Sequence, residues 1–204
     1  MDATATATPL PLQPEHLAAL EQAYATPPRA YHHFGHVCAL LQHYAEVAAG
    51  PGWQQPVEVW LALLFHDAVY QPGRSDNEAE SASWALDCIP RWWPQASVDL
   101  QRVQRLILLT ARHGQLQPAD VDAEAALFLD CDMAILAAPA AVFDAYDEGI
   151  AAEYRGHVPG LLFRLNRRRF LAGLLERPRI FLSDYFHARC DAAARANLRR
   201  RLGR

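Results

Sequence analysis

Val57-Glu58-Val59-Trp60-Leu61-Ala62-Leu63-Leu64-Phe65-His66-Asp67-Ala68-Val69-Tyr70 is apolar enough to lie in a protein core, yet it carries an imidazole and a carboxylate side by side near its end. At helical spacing Val59, Leu63, His66 or Asp67, and Tyr70 share a face, so the pattern predicts a core helix over 56–70 whose polar pair projects inward. The neighbouring segments are rich in Ala and Leu, repeat apolar residues every three or four positions, and show almost no strand-like alternation. They predict further helices over 13–25, 30–49, 76–89, 97–113, 122–138, 139–155, 160–176 and 179–202, broken at Pro and Gly clusters such as Gln71-Pro72-Gly73. The expected fold is an all-α bundle.

The 204 residues, 51% hydrophobic and 21% charged, suffice for one domain or one and a half. No repeat and no long linker divides them. The alternating Ala and Thr of residues 1–12, followed by a Pro-rich stretch, read as a flexible N-terminal tail, and 13–204 as a single helical domain. Nineteen basic residues face 23 acidic ones, a net charge of -4 that argues against a coat for nucleic acid or an anionic membrane. All the basic residues are Arg, and with no Lys the chain has neither Schiff-base chemistry nor a phosphate-binding loop of the lysine type. Cys38, Cys88, Cys131 and Cys190 are scattered, and the N-terminus lacks the basic and apolar regions of a secretory signal. The expectation is a reduced, cytoplasmic protein with no membrane helix, since each apolar run falls well short of the roughly 18 residues needed.

Alone, the His66-Asp67 doublet is equally a core histidine satisfied by its neighbour. Further donors tip the balance toward a metal. Tyr31-His32-His33-Phe34-Gly35-His36-Val37 opens a helix in which His36 shares a stripe with Leu40, Tyr44 and Val47. In Leu129-Asp130-Cys131-Asp132-Met133, Asp132 lies with Leu129, Met133 and Leu136, whereas Asp130 is about 200° away around the axis, so Asp132 is the expected inward carboxylate. Two imidazoles and two carboxylates form a mixed N/O set suited to Mn, Fe, Co, Ni or Zn.

His36, His66-Asp67 and a distant Asp132 in an all-α chain resemble the HD superfamily of metal-dependent phosphohydrolases. The accessory pieces FHDAVY, DNEAESA, Thr110-Ala111-Arg112-His113, LDCDMAIL and GIAAEYR look like a bacterial subgroup of predicted HD phosphohydrolases. The resemblance implies one divalent metal (Mn, Co, Ni, Fe, Zn or Mg) held by His36, His66, Asp67 and Asp132 in an interhelical cleft, acting on a small phosphorylated compound or nucleotide. The mechanism to expect is an activated water with Asp67 and Glu78 in catalytic roles, Glu78 as its base. Glu78 equally reads as a complement to a helix dipole, with Asp76 as N-cap.

Arg74, in the loop before Glu78, is a candidate phosphate clamp or a solvated side chain. His113 is a candidate substrate or second-metal residue, or a histidine at a helix end; His32 is a candidate substrate-binding residue. His33 and His43 read as surface or packing residues, and His16, His157 and His187 receive no role. The many Arg of the last third, among them Arg164, Arg167 to Arg169, Arg195 and Arg199 to Arg201, occupy outer helix faces in this reading, and nucleic-acid binding is disfavoured. A metal- or nucleotide-binding sensor is the alternative to hydrolysis, and an HD-type diiron oxygenase ranks below both. Oligomeric state is open, a homodimer included.

Overall fold

The computed structural model describes residues 8–203, and among them every regular element is helical. The first seven positions of the expected tail lie outside the described residues, while Pro11 near its end gives its carbonyl to the Trp93 indole N–H at 2.7 Å. The helices are α1 Pro14–Ala25, α2 Phe34–Ala49, α3 Pro56–Phe65, α4 Asn77–Trp92, α5 Leu100–Thr110, α6 Ala123–Met133, α7 Ala140–Glu153, α8 Gly160–Glu176 and α9 Asp184–Leu202. Short 3-10 turns occupy Pro118–Asp120 and Ala134–Ala137. The chain divides between Ala111 and Arg112 into two compact units, where the sequence reads as one domain. No single helix among the described residues is long and apolar enough to cross a membrane, and all four cysteines are free thiols.

In the first unit α3 is the central helix, packed against α2, α4 and α5 and buried without a break from Glu58 to Phe65. Such a helix has no polar face, which is why its sequence reads as a near-continuous apolar run. Its one buried carboxylate, Glu58, is satisfied by accepting the Asp99 backbone N–H at 2.9 Å, just before α5 begins. Aromatic side chains close the unit: Trp53 donates to the Tyr44 carbonyl, Tyr44 donates to that of Pro56, and His16 stacks on Trp92 with ring centroids 4.6 Å apart.

The second unit is organised by buried carboxylates that bind backbone N–H groups. Asp130 on α6 accepts from the N–H groups of Leu182 and Ser183 and from the Ser183 hydroxyl, at 2.8, 2.7 and 2.6 Å. Asp191 accepts the Ile180 N–H and the Arg195 guanidinium, whose remaining donors reach the carbonyls of Leu175, Arg177 and Pro178. The Asn197 amide bridges the carbonyls of Leu136 and Ala138, fixing α9 against the 3-10 turn.

Several predicted boundaries shift. Helix α9 starts at Asp184 rather than 179 because the N–H groups of Ile180, Leu182 and Ser183 are taken by side-chain carboxylates and leave the helical ladder. Helix α2 starts at Phe34 rather than 30, with the His33 ring accepting the Gly35 N–H as an N-cap. Helix α5 stops at Thr110, which leaves His113 in the following turn. Helix α3 stops at Phe65 rather than 70, and the polar doublet lies beyond its last turn.

Burial pushes the Asp130 carboxyl up to about 6, against the pull of its three donors and of Arg179. Removing the side chain in Asp130→Ala strands those donors and should lower the unfolding free energy by about 3 kcal/mol in urea titrations. The folded state holds this proton to higher pH than the unfolded chain, whose Asp titrates near about 3.9. The advantage of the wild type over the variant should therefore be largest below pH ~4 and shrink as pH rises through ~6.

Candidate metal centre

Three donors converge in the first unit. His36 comes from the first turn of α2, His66 is the C-cap of α3, and Asp67 follows it in the turn. Nε2 of His66 lies 3.0 Å from Oδ2 of Asp67 and 3.3 Å from Nε2 of His36, and the third edge, His36 to Asp67, is 3.8 Å. His36 and His66 are buried, while Asp67 keeps 13% of its side-chain surface and marks the solvent-facing side.

The tautomer of His66 follows from its other nitrogen. Nδ1 is 3.0 Å from the carbonyl of Leu63, a group that only accepts, so Nδ1 carries the hydrogen. In the neutral ring the Nε2 lone pair then faces a carboxylate oxygen and a second imidazole nitrogen. The two Nε2 atoms and the carboxylate can converge on one cation, or the Nε2–H tautomer of His36 can supply the hydrogen between the rings. A backbone carbonyl orienting an imidazole from its far side is the usual support of a histidine that binds metal. Two ligand atoms about 2.1 Å from a shared ion at tetrahedral or octahedral angles stand about 3.0–3.4 Å apart. Two of the three observed edges fall in that range and the third is slightly longer, so His36, His66 and Asp67 fit a divalent ion as a group.

An aromatic collar surrounds the donors. Tyr31 lies 5.0 Å from the His36 ring, and His32 packs on Tyr70 at 4.3 Å and edge-on to His36 at 5.9 Å. Burial alone would raise the Asp67 carboxyl; the charge and hydrogen bond of His66, with the charges of His32 and His36, outweigh it and hold the group far below the usual carboxylate range.

What places the doublet is the way α3 ends. The Leu64 carbonyl, which a continuing helix would give to Ala68, accepts instead from the Tyr24 hydroxyl, and that oxygen accepts the Asp67 N–H. The Leu63 carbonyl goes to the His66 ring. Arg29 then grips the turn, donating to the carbonyls of Asp67, Ala68, His32 and Ala23 while its guanidinium lies over Tyr24 and Tyr70. From α4, Ser81 both donates to and accepts from Val69, and Asn77 does the same with Gln71. Tyr24, Arg29, Asn77 and Ser81 are positioning residues absent from the sequence expectations. Arg29 leaves no local signal, because its acceptors are backbone carbonyls from separate segments.

The other expected site residues are distributed differently. Arg74 forms a two-pronged pair with Asp76 at 2.7 and 2.6 Å on an exposed loop, so its fork is already engaged, and Asp76 turns away from the helix start it was expected to cap. Glu78 is half-buried in the first turn of α4, next to Asn77. Asp132 belongs to the second unit, where its carboxylate lies 3.3 Å from Nδ1 of His113. Helix α6 is buried almost all round, so Asp130 is buried more deeply than Asp132, and periodicity does not separate an inward from an outward face. His187 does have an acidic neighbour, Asp191, at 3.3 Å one turn on.

Comparison with protein-family models, curated proteins and solved structures finds no match to this chain.

Arg29→Ala removes a charged donor from four carbonyls and should lower the unfolding free energy by about 2 kcal/mol. Amide hydrogen exchange should accelerate first in residues 66–70, the turn that Arg29 holds.

Proposed function

We propose that His36, His66 and Asp67 bind a divalent transition metal and that the protein is a metal-dependent phosphohydrolase acting on a small phosphorylated compound or nucleotide. The observation that carries the metal is the fixed tautomer of His66, whose Nε2 lone pair lies within 3.3 Å of a carboxylate oxygen and a second imidazole nitrogen. Hydrolysis is supported by the character of the donor set and by the order of His, His-Asp and Asp along the chain. A mixed imidazole and carboxylate set suits Mn, Fe, Co, Ni or Zn better than Mg.

When bound, such an ion lowers the pKa of a coordinated water and polarises a phosphoryl oxygen. The protein's own groups do the rest. His66 is held by Leu63, so its Nε2 stays directed at the carboxylate of Asp67. Reactants approach from the Asp67 side, the least buried edge of the donor set, where His32 and Tyr70 form an aromatic rim. Glu78, half-buried beside the Asn77 that anchors Gln71, is the group assigned to receive the water proton. The metal ligands and the proton acceptor proposed here all come from the first unit.

Metal analysis of protein purified without chelator tests the site. Wild type should retain close to one equivalent of transition metal, and His66→Ala and Asp67→Ala should each lose most of it while keeping their helical circular dichroism. Unchanged metal in both variants would sink the proposal. A panel of phosphate esters with Mn, Co and Ni should then show turnover falling by about 100-fold or more in Glu78→Gln with metal content unchanged. Metal binding without turnover on any ester would instead make the protein a sensor.

A further inference from the structure

The second unit carries a cationic cleft of about 260 Å³ lined by Arg164, Arg167, Arg168 and Arg201 around a single carboxylate, Asp147. The four guanidiniums are permanently charged, and even with Asp144, Glu148 and Arg200 of the adjoining surface counted, five arginines face three acids. Asp147 is 3% exposed and uses both oxygens, Oδ1 for Nε of Arg167 and Oδ2 for Nε of Arg201. It thereby fixes two guanidiniums by their Nε atoms and leaves their outer nitrogens to other partners. Arg167 is itself largely buried between the rings of Tyr146 and Phe170 and hydrogen-bonds the Tyr146 side chain, while its Nη2 is buried without an acceptor. A buried charged donor without an acceptor is costly unless something else supplies one. Arg164 lies one turn of α8 before Arg167 and Arg168 directly follows it; both are exposed, and Arg168 also donates to the Leu202 carbonyl at 3.3 Å.

A second cleft, of about 360 Å³, adjoins the first through Phe163 and Arg167, which line both. Its remaining walls are Ile150, Tyr154, Val158, Asn166 and Phe170, an apolar and aromatic surface with one side-chain amide. Phe163 packs on Tyr154 with ring centroids 5.2 Å apart. The pair of clefts therefore offers a multidentate cationic end and a flat apolar end joined by a shared arginine.

We infer that this double cleft is a binding site for a small phosphorylated ligand with a flat ring, of the nucleotide class. Its phosphoryl oxygens lie among Arg164, Arg167, Arg168 and Arg201, and its ring lies against Phe163, Phe170 and Tyr154. Planar guanidinium forks match phosphoryl oxygens two at a time, and aromatic faces accept any base. Asn166 is placed to hydrogen-bond a ring edge. Its lining comes wholly from the second unit, and it does not depend on the metal reading.

Calorimetry with AMP, adenosine and inorganic pyrophosphate in 150 mM salt tests it. AMP should bind with submillimolar affinity and at least ~5-fold more tightly than pyrophosphate, with adenosine much weaker than either. Arg164→Gln/Arg168→Gln should weaken AMP by about 10-fold or more. Arg199→Gln, an exposed arginine outside both clefts, should not, and neither should His66→Ala. Arg164→Glu alone should give a similar loss and serves if the double variant is unstable. Pyrophosphate binding as tightly as AMP would assign the site to free phosphates and overturn the nucleotide assignment. No AMP binding, or an equal loss in Arg199→Gln, would overturn the site as a whole. Loss in His66→Ala but not in the arginine variants would move the ligand to the metal centre.

Discussion

The candidate centre depends on a competition for two carbonyls. At the end of α3 the oxygens of Leu63 and Leu64 would, in a longer helix, accept the N–H groups of Asp67 and Ala68. The His66 ring takes the first and the Tyr24 hydroxyl takes the second. In the turn that results, Nε2 of His66 and Oδ2 of Asp67 lie 3.0 Å apart. The side-chain donor that replaces the i+4 amide at the Leu63 carbonyl is the His66 ring itself, so the hydrogen bond that ends the helix also fixes the histidine tautomer.

Closing a helix this way leaves the next few residues without a regular ladder, and each of their polar groups needs another partner. The accounting is nearly complete. The Asp67 and Ala68 carbonyls go to Arg29, both backbone groups of Val69 go to Ser81, and both of Gln71 go to Asn77. Irregular backbone beside a buried charge is held here by side chains from α1, α4 and the loop between α1 and α2. An arginine suits the position because its fork spans several carbonyls at once and it stacks on Tyr24 and Tyr70 while staying charged.

The all-helical class was legible because its signals are local: apolar recurrence at three and four, and Pro or Gly at each break. His36, His66 and Asp67 were legible for a related reason, since polar donors inside apolar stretches cost free energy and need a purpose. What could not be read is everything set by a distant competitor. The loss of 66–70 from α3 is decided by Tyr24, and the loss of 179–183 from α9 by Asp130 and Asp191, none of which alters the local pattern. Asp132 shows the same limit: a helix buried on nearly every side has no moment to point with, so ranking it above Asp130 as the inward residue lacked a physical basis.

The arginines of the last third carry this reasoning further. Outer-face arginines are what helical periodicity suggests, and Arg164 and Arg168 follow it. Arg167 and Arg195 instead expose only 13% and 17% of their side chains and sit against buried aspartates. A buried guanidinium and a buried carboxylate each need the other, so Asp147, on one stripe with Phe143 and Ile150, was the visible half of the signal. In the Asp191 pair the donors of Arg195 are spent on carbonyls, which makes it a structural clasp. In the Asp147 pair two arginines share one acid beside an open cleft, and Nη2 of Arg167 is left over. The same chemistry gives a clasp where backbone acceptors complete it and an anion-seeking surface where they do not.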